Sequence, residues 1–269
     1  MRRFIKKDPR RSIMELCFYE KSLVAGYKSK SQIARRLTEN WALDNLFCLS
    51  CSESKVSAYP NNYPVADFFC GKCRAEFQLK SQKTRFGKSV NDGQYHKMID
   101  SIRTLTRPNF LFMKYDADYC VDDLFAVPRF FFTESIVQKR KPLRSSADRK
   151  GWIGCNLLLC KVPPEGKITI VDDKKEIPRR IVRDKWKKVS FMERTSLPER
   201  GWIADVLNAV HSLKQKRFGL GDIYSFEESF AKNHPQNRHI KDKIRQQLQF
   251  LRDKGLLKFE GKGKYILVE

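Results

Sequence analysis

Four cysteines form two C-x2-C pairs, Cys48 with Cys51 and Cys70 with Cys73, separated by 18 residues. Each such turn presents two thiolates to one ion, and two turns complete a tetrahedron with no open position, the pattern of a structural zinc site. Around the second pair stands a different set of groups: Asp67 at the end of PVAD, and Glu76, Gln78 and Lys80 in the returning EFQLKS. In a strand alternate side chains share a face, so Glu76, Gln78 and Lys80 point one way while Phe77 and Leu79 pack on the other. The cysteines then cap a tight return between two adjacent strands that brings Asp67 beside Gln78 and Lys80. A carboxylate, an amide oxygen and an ammonium at one place suit metal-assisted hydrolysis of a phosphodiester.

This arrangement resembles the PD-(D/E)XK nuclease signature, with Pro64 and Asp67 as its first half. The resemblance implies Mg2+ held by two acidic side chains and by the main-chain carbonyl between the second acid and the lysine. On this chain those positions are Asp67, Gln78 and Leu79, with Asp67, Gln78 and Lys80 catalytic and Lys80 orienting or activating water. Gln78 stands where the second acid belongs. Its carbonyl oxygen still suits a hard cation, but one negative charge is gone. Glu76 shares the face about 6–7 Å further along the strand, far for direct substitution, and Glu39 on an early helix is a second supporting acid.

Elements that position these groups follow from periodicity. SQIARRLTENWAL places Ile33, Leu37 and Trp41 on one face of a helix with Ser31 as its N-cap. NDGQYHKMIDSIRTL predicts a second helix burying Tyr95, Met98, Ile99 and Ile102. NFLFMKYD, DLFAVPRFFF, GWIGCNLLLC and KITIVD read as strands, and the order of elements predicts an α/β domain with one central mixed sheet.

Beyond about residue 190 the pattern turns helical, with stripes at Ile203, Val206, Leu207 and Val210 and at Ile223, Phe226 and Phe230. A third helix from about Asn237 to Lys254 carries Ile240, Ile244, Leu248 and Leu251, with Lys241, Arg245, Gln249 and Arg252 on its other face. LLKFEGKGKYILV reads as a hairpin turning at Gly261 to Gly263. Three helices and a basic-tipped hairpin make a winged helix-turn-helix, a fold that serves DNA binding and also dimerisation. For DNA, the candidates for base or phosphate contact are Asn237, Arg238, Lys241, Arg245 and Gln246 at the start of the third helix, with Lys262 and Lys264 in the wing.

Composition agrees with a polyanionic partner. The 269-residue chain carries 54 Lys and Arg against 31 Asp and Glu, a net charge of +23, and nucleic acid is the expected counterpart. The first dozen residues hold six basic side chains against one acid and read as a flexible basic extension, or an over-long start before Met14. No run of 18 apolar residues and no apolar signal core argue against membrane and secretion, so the expected location is the cytoplasm. In that reducing setting Cys17, Cys120, Cys155 and Cys160 are expected as small core residues rather than disulfides.

Assembled, the motifs YKSKSQIARRLTENW, PVADFFC, GKC, EFQLKS, NDGQY, RPNFLFMKY, RKPL, GWIGCN, TSLPERGW, HIKDKIRQQLQFLRDK and KGKY resemble the DpnI-like methyl-directed restriction endonucleases from Met14 to the end. The resemblance implies a zinc-bearing PD-(D/E)XK nuclease domain over 14–192, after the extension 1–13, and a winged-helix DNA-binding domain over 193–269. It implies Mg2+-dependent, type II cleavage of duplex DNA at GATC sites carrying N6-methyladenine, by a protein that is a monomer in solution. The alternative is a methylated-DNA-binding protein whose cleavage is weak or absent because Gln78 replaces an acid. Burying one methyl contributes roughly 0.8 kcal/mol, so a single pocket selects weakly; two methyls in a palindrome, sampled by two DNA-reading domains, multiply the preference. Trp152, which follows a loop with Arg140, Lys141, Arg144, Arg149 and Lys150, is a candidate apolar wall for a methyl, or a core residue at a strand start. Trp202 is expected in the core.

Overall fold

The computed structural model describes residues 14–60, 63 and 66–268. The basic extension and Pro64 lie outside the described residues. In chain order the elements are α1 (Lys30–Asn45), β1 (Ser57–Ala58), β2 (Phe68–Phe69), β3 (Glu76–Gln82), β4 (Val90–Gln94), α2 (Tyr95–Arg103), β5 (Asn109–Tyr115) and β6 (Val121–Val127). There follow β7 (Val137–Lys139), β8 (Gly154–Leu157), β9 (Ile168–Asp172), β10 (Lys175–Glu176), α3 (Arg179–Val189) and α4 (Leu197–Ser212). The chain ends with β11 (Arg217–Gly219), α5 (Leu220–Tyr224), α6 (Glu227–Asn233), α7 (Ile240–Asp253), β12 (Leu257–Gly261) and β13 (Lys264–Leu267). Two compact units share them. The first takes the chain up to Arg85, Pro108–Ala126 and Thr169–Arg183; the second takes Phe86–Arg107, Val127–Ile168 and Asp184–Glu269.

The core of the first unit is a seven-stranded mixed sheet ordered β1-β2-β3-β5-β6-β9-β10. Residues Phe77–Gln82 pair in parallel with Asn109–Lys114. Parallel pairing requires cover on both faces, and β5 is buried at every position except Lys114. Helix α1 buries Leu37, Thr38, Trp41 and Ala42, and Thr38 Oγ1 lies 3.1 Å from Ser81 Oγ at the end of β3. Its N-cap is Ser29 rather than Ser31, because the helix begins two residues earlier than expected, at Lys30. Cys17 and Cys120 form a disulfide spanning 103 residues, joining the N-terminal bridge to the β5–β6 turn. Cys17 is exposed, so neither its pairing nor its position is that of the expected core thiol; Cys160 is exposed as well, while Cys155 is buried.

In the second unit a separate antiparallel sheet, β4-β8-β7, holds the GWIGCN strand, which therefore does not join the central sheet. NDGQ, expected as helix, forms β4, and the helix starts only at Tyr95, where the Gln94 side chain accepts the Lys97 amide. DLFAVPRFFF is a strand only to Val127. Pro128 has no N–H to continue a ladder, and Arg129–Phe131 forms a 3-10 turn. Helices α4 and α7 bury the predicted stripes Ile203, Val206, Leu207 and Val210 and Ile240, Ile244, Leu248 and Leu251, but the second expected helix is two: α5 buries Ile223 and α6 buries Phe230, with Phe226 half-buried at the N-cap between them. Trp202 is core, stacked 3.9 Å from the His234 ring. The wing sheet is ordered β11-β13-β12 and turns through Gly261, Lys262 and Gly263, all at positive φ. Asn237 and Arg238 precede α7 rather than opening it: the Asn237 side chain accepts the His239 amide, ending the turn from α6. Among the described residues no helix is long and apolar enough to cross a membrane.

Candidate functional site

Main-chain hydrogen bonds fix Asp67. Its amide donates to the Phe77 carbonyl at 2.9 Å, and its Oδ2 accepts the Leu79 amide at 2.7 Å. Phe68 pairs with Phe77 and Phe69 with Glu76, and the same antiparallel register continued by one residue puts Asp67 opposite Gln78. The Lys80 Nζ lies 5.7 Å from the centre of the Phe110 ring on the neighbouring parallel strand. Asp67, immediately before β2, thus stands opposite Gln78 of β3, with Lys80 two residues further along that strand. Burial pushes the Asp67 carboxyl up from the ordinary carboxylate range; the Leu79 N–H pulls it down, the Glu39 charge pushes it up, and Arg35 and Lys80 pull it down. A desolvated carboxylate that feels a second one favours a cation beside it.

Asp67 opens onto a pocket of about 150 Å3 lined in part by Arg35, Arg36 and Glu39 of α1 and by Tyr59 and Tyr63. Arg35 Nε bonds Glu39 Oε1 at 2.6 Å. The Arg36 Nε is buried without a hydrogen-bond partner among the described residues. The two tyrosine rings stack 4.0 Å apart and nearly parallel. Tyr59 also donates to Glu76 Oε1 at 2.6 Å, and that bond, with burial, pushes its phenol up to about 12. Glu76 is therefore committed to Tyr59 rather than to the Gln78 position.

The four cysteine sulfurs all lie within 4.8 Å of one another, with Cys48 to Cys73 at 3.5 Å and Cys51 to Cys70 at 3.6 Å. Zinc–sulfur bonds of about 2.3 Å place tetrahedral sulfurs about 3.8 Å apart, so the cluster fits one zinc ion. Amide donors from Cys73 and Lys72 outweigh burial at Cys70 and bring its thiol down to about 7, whereas burial pushes the Cys48 and Cys73 thiols up; the fit to zinc therefore rests on the sulfur geometry. Arg183, from far along the chain, clamps the first cysteine loop: it donates to the Cys48 carbonyl at 3.1 Å and to the Glu53 carbonyl at 2.7 Å.

On α7, Lys241, Arg245 and Gln246 are exposed, as are Arg238 before the helix and Lys262 and Lys264 in the wing; Asn237 is half-buried. The Tyr224 ring lies 5.6 Å from the Lys241 ammonium and 5.9 Å from the Arg245 guanidinium, and Lys241 also pairs with Glu227 at 3.2 Å. The face is basic and its side chains are partly ordered before any DNA arrives.

The family model described as DpnI, Dam-replacing family, matches residues 14–195. The chain belongs to this family. The model of the Dam-replacing HTH domain matches residues 198–266. As a DpnI-like methyl-directed restriction enzyme, the chain is a methyl-dependent, DNA-cleaving protein that binds methylated DNA and carries a helix-turn-helix domain.

Against this DpnI-family background Trp152 takes on definite surroundings. It is half-buried, the Arg149 guanidinium lies 5.2 Å over its ring, and the ring packs so closely on Gly154 that an added Cβ there would sit 2.7 Å from it. Neither fully core nor fully free, it presents part of one aromatic surface between exposed cations. Sequence reasoning passed over the roles of Arg35, Arg36, Tyr59, Tyr63 and Arg183. Arg35 and Arg36 were legible only as surface charge; the others carry no local spacing signal, because their partners arrive from other elements.

Proposed function

We propose that this DpnI-family chain hydrolyses phosphodiester bonds of duplex DNA at GATC sites whose adenines carry an N6-methyl group, as an Mg2+-dependent type II endonuclease built on a PD-(D/E)XK centre. The observation that carries the proposal is the ladder-fixed approach of Asp67 to the Gln78–Lys80 strand. Asp67, the Gln78 amide oxygen and the Leu79 carbonyl are the oxygen donors for the metal, and that donor set suits a hard divalent cation. Bound there, Mg2+ offsets charge developing on the scissile phosphate. Lys80 orients the attacking water, while Arg36, which lines the pocket with Asp67, faces backbone phosphate. Asn237, Arg238, Lys241, Arg245, Gln246, Lys262 and Lys264 bind the duplex, with Arg suited to guanine and Asn or Gln to adenine.

The deciding experiment incubates one plasmid, with and without adenine methylation at GATC, with purified protein in Mg2+ and in EDTA, and follows binding in parallel. Cutting of the methylated form alone, dependent on Mg2+, is the expected result. Methyl-selective binding with no cutting would instead favour a reader of methylated DNA, the second reading that the missing charge at Gln78 supports; Gln78→Glu should then restore cutting.

Trp152 serves as an apolar wall for a methyl group. A pocket of this kind discriminates by about 1–3 kcal/mol, so Trp152→Ala is expected to reduce the methylated-to-unmethylated cutting ratio by about tenfold or more. An equal loss on both substrates would reduce Trp152 to a packing role.

A further inference from the structure

We propose that Glu39 supplies the carboxylate charge that Gln78 withholds, so that the cation centre is formed by Asp67 on the strand and Glu39 on α1, with Arg35 as the counter-ion of Glu39 until a divalent cation binds. The proposal rests on the cation centre described above and assigns it a residue outside the Asp67–Gln78–Lys80 set.

Four observations carry it. Glu39 and Asp67 line one pocket of about 150 Å3. The Glu39 side chain is only 20% exposed, against 55% for Arg35, its partner, so the acid faces inward and the arginine outward. The helix is locked to the lysine strand at the adjoining residues: Thr38, fully buried beside Glu39 in sequence, contacts Ser81, which follows Lys80, at 3.1 Å. Glu76, the other nearby acid, is engaged by Tyr59.

The charge count explains why Glu39 matters. A divalent ion held by Asp67 alone has one formal negative charge to balance it, whereas Asp67 with Glu39 supplies two. With no cation present the two carboxylates that line one pocket repel each other. Arg35 offsets that repulsion through an i,i+4 ion pair. Such a pair on a largely exposed arginine contributes little, so Arg35 yields to a divalent ion at small cost. Gln78 then remains as a neutral oxygen donor, and the substitution is a relocation of charge rather than its loss.

The test titrates Mn2+ into the full-length, zinc-loaded protein without DNA and reads free Mn2+ by electron paramagnetic resonance, with zinc content and thermal melting checking the fold of each variant. Wild type is expected to bind one Mn2+ in this pocket and Asp67→Asn to abolish that binding. Glu39→Gln should weaken it by about tenfold or more, Gln78→Glu in the Glu39→Gln background should restore it, and Arg35→Gln should tighten it. If wild type binds no Mn2+, or Asp67→Asn binds as wild type does, the cation centre itself is wrong. If Asp67→Asn loses Mn2+ while Glu39→Gln keeps wild-type affinity, the centre stands and the role of Glu39 is overturned. Should Glu39→Gln fail to fold, Arg35→Gln decides: unchanged or weaker Mn2+ binding overturns the proposal.

Discussion

Lys80→Ala is expected to lower strand cutting by about 10²–10⁴-fold, the range of a positioned proton-transfer group, while leaving methyl-selective binding nearly unchanged. The two effects separate because the structure separates their sources. Lys80 is half-buried on a strand whose neighbours are Asp67 on one side and Phe110 and Phe112 on the other, whereas the exposed cations of the helix-turn-helix lie on α7 and in the wing. Removing one ammonium from an interface that carries many changes affinity little, but removing the group that orients water changes the barrier directly. Single-turnover cutting rates and filter binding on the same methylated duplex measure the two quantities. A parallel fall in binding and cutting would mean that Lys80 is a phosphate contact; undiminished cutting would remove it from the chemistry altogether. Lys80→Arg keeps the charge but changes its shape and reach, so it should keep binding and stem packing on Phe110 without recovering the rate.

Zinc removal should have the largest effect on the folded state. In small metallodomains a structural zinc supplies about 10–16 kcal/mol of apparent binding free energy, comparable with the about 5–15 kcal/mol of net stability of a whole domain. The chain is expected to carry one zinc, and Cys70→Ser or prolonged chelation should lower the melting temperature sharply and abolish cutting. The two losses are linked through the chain itself. Cys70 follows Asp67 by three residues, its amide bonds the Ala75 carbonyl at 2.9 Å, and β3 begins at the next residue. A zinc ion on the four cysteines would thus hold the return that keeps Asp67 opposite Gln78. Added Zn2+, and not excess Mg2+, should restore activity to chelated protein. Stoichiometry by elemental analysis and a melting curve before and after chelation are the checks; an unchanged melting temperature in metal-free protein would refute a structural zinc.

Local chemistry was legible in the sequence wherever spacing alone determines proximity. Two C-x2-C turns predict the convergence of Cys48, Cys51, Cys70 and Cys73, and a short return between strands predicts Asp67 beside Gln78. The stripes of α4 and α7 followed from a period that packing preserves. Misassignments arose where a local signal lost to distant pairing. NDGQ carries turn-forming residues, yet β8 arrives from some sixty residues away and recruits it as an edge strand. GWIGCN is apolar enough for a central strand and pairs in a second sheet instead. The Cys17–Cys120 bond joins residues 103 apart, and no spacing rule spans such a loop. Arg183 on the zinc loop and Tyr59 on Glu76 are tertiary contacts of the same kind. Glu39 was legible as a supporting acid on an early helix; the pocket it shares with Asp67 was not, because α1 and the Asp67 turn meet only in the fold.

The interleaving of the two compact units sets the order in which a newly made chain can mature. Asp67 and Lys80 are synthesised early, but the parallel neighbour of their strand is not complete until Tyr115, and the last stretch of the first unit ends at Arg183. Most of the polypeptide must therefore be made before the Asp67–Lys80 region acquires its support, whereas the four clustered cysteines are available early. A chain released before Arg183 is therefore expected to lack the support of the Asp67–Lys80 region, so truncated fragments should not cut.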